Sequence, residues 1–300
     1  MRIYYMFALI GLSIMLLAPG RAAVPVVTST TDLAAIAREV GGGRVQVESL
    51  SQGNQDLHRV EPRPSFVARL AKAQLVVRVG MDLDVWMDAL LPAARNAQIR
   101  PGGKGYVDAS AGIAPLELPT GKVDGSKGDI HIHGNPHYWL DPENGKVIAG
   151  NILAGLKRVD PAGAAAYQQN YDRFVQRLDE RMSAWQKQMA PLRGAKVVAY
   201  HTTWSYFNER FGLKLAGTVE PKPGIPPSAS HVNGLIAMMK RERVALVMTC
   251  GYYPTRFTDL LKRETGTAVV CLPTSVGGVK GADDYFALFD STIAMLRAAK

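Results

Sequence analysis

Apolar positions along the chain switch between two periods. From Val24, VPVVT reads as a strand; Leu33, Ile36 and Val40 then recur at helical spacing behind Thr30-Thr31-Asp32, whose side chains suit a helix cap. Gly41-Gly42-Gly43 end that helix, and RVQVESL alternates with the period of two expected of a strand. PSFVARLAKAQ predicts a helix opened by Pro64-Ser65, LVVRVG a buried strand, and DLDVWMDALLPAA a further helix. The same grammar returns from Ala195. AKVVAYH, LKLAGTV, VALVMTC and AVVCLP read as strands, separated by helices in SYFNERFG, SASHVNGLIAMMKRER and TRFTDLLKRETG. DDYFALFDSTIAMLRAA closes the chain as a helix. Strands alternating with helices predict an α/β fold, with a mostly parallel sheet flanked by helices in each half.

Between the halves runs DPAGAAAYQQNYDRFVQRLDERMSAWQKQM. Asp160 suits its cap and Pro161 its first turn, and neither Gly nor Pro interrupts Ala164 to Met189. Roughly 26 helical residues span about 40 Å, longer than most globular helices. The expected organisation is an N-terminal lobe over 24–159, a rigid linking helix over 160–190 and a C-terminal lobe over 191–300. The groove between lobes is the default ligand site.

Residues 1–23 follow a different pattern. Arg2 precedes an apolar block from Tyr4 to Leu17, Pro19-Gly20 break it, and Ala22 and Ala23 follow. That order predicts a secretory signal peptide, and the block is shorter than the ~20 residues a membrane span needs. No Cys follows it to carry a lipid, so the expectation is a cleaved, exported, periplasmic monomer without stable membrane insertion. The formal charge of +9 includes Arg2 and Arg21; without them 33 basic residues face 26 acidic ones, a net of +7. These charges are interleaved, as in DRFVQRLDERM, and form no basic block, so nucleic acid is not an expected partner. Cys250 and Cys271 fall at or near strand ends in an oxidising compartment, where a disulfide is permitted.

Three of the six histidines lie in GDIHIHGNPHYWLDP: His131, His133 and His137. His58 follows the strand RVQVESL and His201 ends AKVVAYH, both at carboxyl ends of strands, where open parallel sheets bind ligands. His58, His137 and His201 thus reach the groove from three loops. Neutral imidazole offers a borderline-soft nitrogen lone pair, and three of them suit Zn2+. Asp56, Glu61 and Asp141 stand near enough in sequence to fix the other ring nitrogens. No short H-x-H or C-x-x-C pair unites the three, and no H-E-x-x-H motif joins ligands to a general base. A zinc hydrolase, with water in a fourth position, is therefore the weaker alternative.

The chain resembles the zinc/manganese solute-binding proteins of bacterial ABC importers, the cluster A-I periplasmic receptors. STTDLAAIAREVGG, DLHRVEPRPSFVARLAKAQLVVRVGMDLDVWMDALL, NPHYWLDPENGKVIAGNI, VVAYHTTWSYFNERFGL, EPKPGIPPSASHV, LPTSVGG and DDYFALFD carry the likeness over nearly the whole mature chain. It implies two α/β lobes joined by a rigid helix, with metal at their interface and a membrane permease as partner. It implies a transport protein and not an enzyme. His58, His137 and His201 match the family's first three ligand positions. Manganese-selective members typically place a carboxylate at the third, so His201 looks like the zinc-type pattern; Mn2+, Fe2+ and Cu are the alternative cargoes. The usual fourth ligand, an Asp in the last loop, is missing from CLPTSVGG. Cys250, Glu61 or water are left as candidates. His131 and His133 resemble a short form of the family's His-rich loop, thought to gather metal; a solvated turn is the other reading. For His231, capping or packing is expected.

Overall fold

The computed structural model describes residues 22–120 and 131–299, so the expected signal peptide lies outside the described residues apart from Ala22 and Ala23. The first sheet holds β1 (Val24–Thr28), β2 (Val45–Ser49), β3 (Leu75–Arg78) and β4 (Tyr106–Asp108), parallel throughout, in the order β2-β1-β3-β4. The second holds β5 (Lys196–Ala199), β6 (Lys214–Thr218), β7 (Leu246–Thr249) and β8 (Ala268–Cys271), also parallel, in the equivalent order β6-β5-β7-β8. Helices α1 (Thr31–Gly41), α2 (Pro64–Lys72), α3 (Met87–Ala93) and α4 (Pro142–Val159) belong to the first lobe; α6 (Ser205–Phe211), α7 (Ala229–Glu242) and α8 (Thr255–Thr265) belong to the second. Val76, Val77, Val197 and Val198 are fully buried, as expected of strands covered on both faces.

The linking helix α5 (Ala164–Met189) has the expected 26 residues, but it is no bare rod. Tyr167, Phe174, Leu178, Met182, Trp185 and Met189 recur at helical spacing along one buried face. That face packs on α1, α4 and the last helix, α9 (Tyr285–Ala298). Phe174 meets Phe286 at 5.4 Å between ring centroids, and Trp185 meets Phe289 at 5.1 Å. The Tyr285 hydroxyl donates to the Trp139 carbonyl, and Trp139 Nε1 donates to the Thr274 carbonyl. Val276 N donates to Asp32 and Thr31 donates to the Val276 carbonyl. One core therefore runs through both lobes and the helix between them.

Two elements go beyond the hydrophobic pattern. Strand β4 is only three residues long, too short to show a period. Helix α4 carries Gly145, Gly150 and Gly155, which lower helix propensity. The structure gives two of these a reason. A Cβ at Gly155 would stand 2.4 Å from Val107, and one at Gly145 would stand 2.7 Å from Tyr285. Close approach of α4 to β4 and α9 thus requires glycine at both positions, while the Asp141 carboxylate caps α4 by accepting from Glu143 N. The helix expected over DLDVWMDALLPAA is shorter, because Met81 and Asp82 hold left-handed φ values of 49° and 61° and delay its start to Met87. Among the described residues, no helix is long and apolar enough to cross a membrane.

Candidate metal centre

The short helical turn Leu57–Arg59, just past β2, carries His58. Asp56 Oδ1 accepts from both the backbone N of His58 (3.0 Å) and its ring Nδ1 (2.9 Å). The same device recurs two residues before His137: Asn135 Oδ1 accepts from His137 N and from its Nδ1, both at 2.9 Å. His201 follows β5, and its Nδ1 lies 2.9 Å from Glu220 Oε2 at the end of neighbouring β6. Carboxylate and amide oxygens only accept, so each Nδ1 carries its proton and each Nε2 keeps a lone pair. One ligating atom from each of His58, His137 and His201 lies within 4.8 Å of the others. The ring centroids stand 5.2–5.4 Å apart. Nitrogens around a tetrahedral Zn2+ sit about 3.4 Å from one another at a Zn–N distance of ~2.1 Å, so a small contraction completes the grip. His58 Nε2 is buried without a hydrogen-bond partner, an atom whose desolvation a bound cation would repay.

The charges suit a cation. Burial, reinforced by repulsion from His58, His201 and His131, holds the fully enclosed His137 imidazole far below its usual pKa and therefore neutral. Burial pushes the Asp56 carboxyl up, but hydrogen bonds from the His58 ring and backbone N–H, with the Arg59 charge nearby, outweigh it and hold the group below the ordinary carboxylate range. Imidazole binds a metal only in its neutral form, so the carboxylates of Asp56 and Glu220, behind two of the rings, would supply the negative charge that balances a dication.

Of the expected second-nitrogen partners, Asp56 alone meets a ring of the triad. Asp141 instead binds Arg210 through two bonds of 2.7 and 2.8 Å. Glu61 is exposed and lines a polar cavity with Gln52, Arg63 and Arg69. Asn135 and Glu220 take the roles the sequence reading missed. Asx-x-His at both Asp56-Leu57-His58 and Asn135-Pro136-His137 was a readable signal, whereas Glu220 lies 19 residues from His201 and meets it only through sheet pairing.

Neither candidate fourth ligand joins the group. Cys250 is buried and its thiol is pushed up by burial, which disfavours the thiolate a metal needs. Cys250 and Cys271 are both free. Thr249 pairs with Cys271 across β7 and β8, so Cys250, one residue on, faces the opposite side of the sheet. His133 is largely exposed, 3.8 Å from Asp82. His131 stands closer in: its ring centroid lies 5.3 Å from that of His58, and it lines a cavity of about 230 Å³ with His137 and His201. The backbone N of His231 donates to Ser228, which caps α7, and its ring bonds the Thr218 carbonyl.

Fold and site together define a two-lobed metal receptor. Residues 26–299 match the family model for ZnuA, the periplasmic zinc-uptake complex component A. Among curated relatives, the iron-binding protein YfeA of Yersinia pestis is 24% identical over 276 residues, spanning 89% of this chain and 83% of that protein. The high-affinity zinc uptake protein ZnuA of Paracoccus denitrificans is 27% identical over 253 residues, spanning 72% and 73%. A crystal structure of ZnuA superposes with a TM-score of 0.78 at 25% identity, covering 92% of this chain and 99% of that one. The chain belongs to the ZnuA family of metal solute-binding proteins that serve ABC importers.

Proposed function

We propose that this protein captures Zn2+ in the periplasm and hands it to the permease of an ABC importer. The observation that carries the reading is the all-nitrogen triad of His58, His137 and His201, with each outer nitrogen fixed by a separate oxygen. Relatives bear the names of zinc, iron and other metal-binding proteins, so the choice of cargo rests on donor chemistry. Mn2+ prefers oxygen ligands, while imidazole suits Zn2+.

His58 and His137 come from one lobe and His201 from the other, so one ion draws on both. The shared core and the packed face of α5 oppose a wide hinge, which makes capture and release matters of loop and side-chain motion. Asp56 and Glu220 are engaged with ligand rings and serve orientation and charge balance, the roles of a receptor more than of a hydrolase. Competition titration of the mature chain with Zn2+, Fe2+ and Mn2+ tests the assignment. Zn2+ is expected to bind well ahead of the other two; tighter Mn2+ binding would contradict it.

A further inference from the structure

The triad leaves one coordination position of a tetrahedral ion to be filled, and the surroundings narrow its source. Cys250 is buried with its thiol pushed up by burial, and Glu61 is exposed over a different cavity. The last loop, 272–278, is tied into the seam between lobes, with Val276 N on Asp32 and the Thr274 carbonyl on Trp139. His131 differs from all of these. It sits on the cavity face of the triad, and its Nε2 is buried without a hydrogen-bond partner, as is Nε2 of His58.

The backbone of Asp82 lies beside the His131 ring. That turn is fixed in place. Gly80, Met81 and Asp82 all have φ between 49° and 76°, a strained run that the buried Asp84 carboxylate fastens by accepting from Val79 N at 2.6 Å and Gly80 N at 3.2 Å. Asp84 is in turn gripped by Arg78 Nε at 3.1 Å. On the far side of His131, Gly134 N closes a tight turn on the His131 carbonyl, with Gly134 at φ 94°.

We propose that His131 is the fourth ligand, its Nε2 closing the position that His58, His137 and His201 leave. This rests on the metal-receptor reading and names the residue that completes that site. His131 lies beyond the mutual reach of the three, so it moves onto the ion by side-chain rotation after the triad has formed. The result is a four-nitrogen, water-free shell, in which departure of His131 is the first step of release.

X-ray absorption at the zinc edge and the visible spectrum of the Co2+-substituted protein test the proposal, using the mature chain alongside His131→Ala, His131→Gln and His133→Ala. The wild type is expected to show four imidazole nitrogens and an intense tetrahedral Co2+ spectrum. Both His131 variants are expected to show three nitrogens plus an oxygen, a weaker and shifted Co2+ spectrum, and zinc dissociation faster by about tenfold or more. His133→Ala should match the wild type. A wild-type shell of three nitrogens and an oxygen, unchanged in His131→Ala, overturns the role of His131 while the triad stands. Undiminished zinc binding by His58→Ala would bring down the triad and the proposal together.

Discussion

With Zn2+ on the proposed triad, Glu220 would sit behind the His201 ring and not on the ion, yet its charge should set much of the affinity. Glu220→Gln keeps the shape and an oxygen that can still accept from His201 Nδ1 and Gly224 N, both of which now bond the same atom, Oε2. What the variant loses is one negative charge behind a ligand ring. A 2.9 Å link, the width of the imidazole and a Zn–N bond of ~2.1 Å put that charge roughly 6–7 Å from the ion. A dication and a single negative charge at that distance, with an effective dielectric near 20, attract by about 5 kcal/mol. Screening by water and counter-ions reduces this, and partners of metal-bound histidines are typically worth about 10–100-fold in affinity, or about 1.4–2.8 kcal/mol. The expected loss is therefore at least tenfold and below the several-thousandfold of the bare Coulomb figure. Titration against a chromophoric zinc chelator at pH 7.5 measures it, with the melting temperature of the apoprotein as a folding control. Affinity within twofold of wild type, in a variant that folds normally, would refute the idea that the carboxylate pair balances the cation.

Three further outcomes follow from the fold and its charges. Small-angle scattering should give closely similar radii of gyration with and without Zn2+, because the core crosses both lobes; a clear change would contradict loop-confined motion. Phe174→Ala, removing a fully buried ring packed on Tyr285 and Phe286, should cost about 3–5 kcal/mol in urea unfolding, and a loss under 1 kcal/mol would deny the linking helix its structural weight. Burial pushes the Asp32 carboxyl up to about 7 despite the Val276 N–H bond, so the folded chain retains a proton that the unfolded chain releases near pH 4. Its contribution to stability is thus full below about pH 4 and falls as pH rises toward 7; Asp32→Asn should flatten that slope and gain up to about 4 kcal/mol over wild type at pH 8, and parallel profiles from pH 5 to 8 would contradict it.

How legible each part was depends on whether its cause is local. Strands such as LVVRVG and helices such as TRFTDLLKRETG are written in a few neighbouring residues, and they lie where the apolar pattern puts them. Helix α4 was hidden because its glycines answer to Val107 and Tyr285, distant partners that no local pattern reveals. The triad was visible as three histidines at loop positions, and two of its outer partners were spelled out as Asx-x-His. Glu220 was not, since only the pairing of β6 beside β5 brings it to His201. Cys250 looked available in sequence and is withdrawn in space, because strand alternation turns it into the buried face.

A crystal structure of the zinc-loaded protein, with anomalous diffraction recorded on both sides of the zinc edge, would place the ion directly. One strong peak is expected within about 2.1 Å of Nε2 of His58, His137 and His201. A peak elsewhere, or an ion bound through carboxylates with any of those three rings turned away, would contradict the proposed triad.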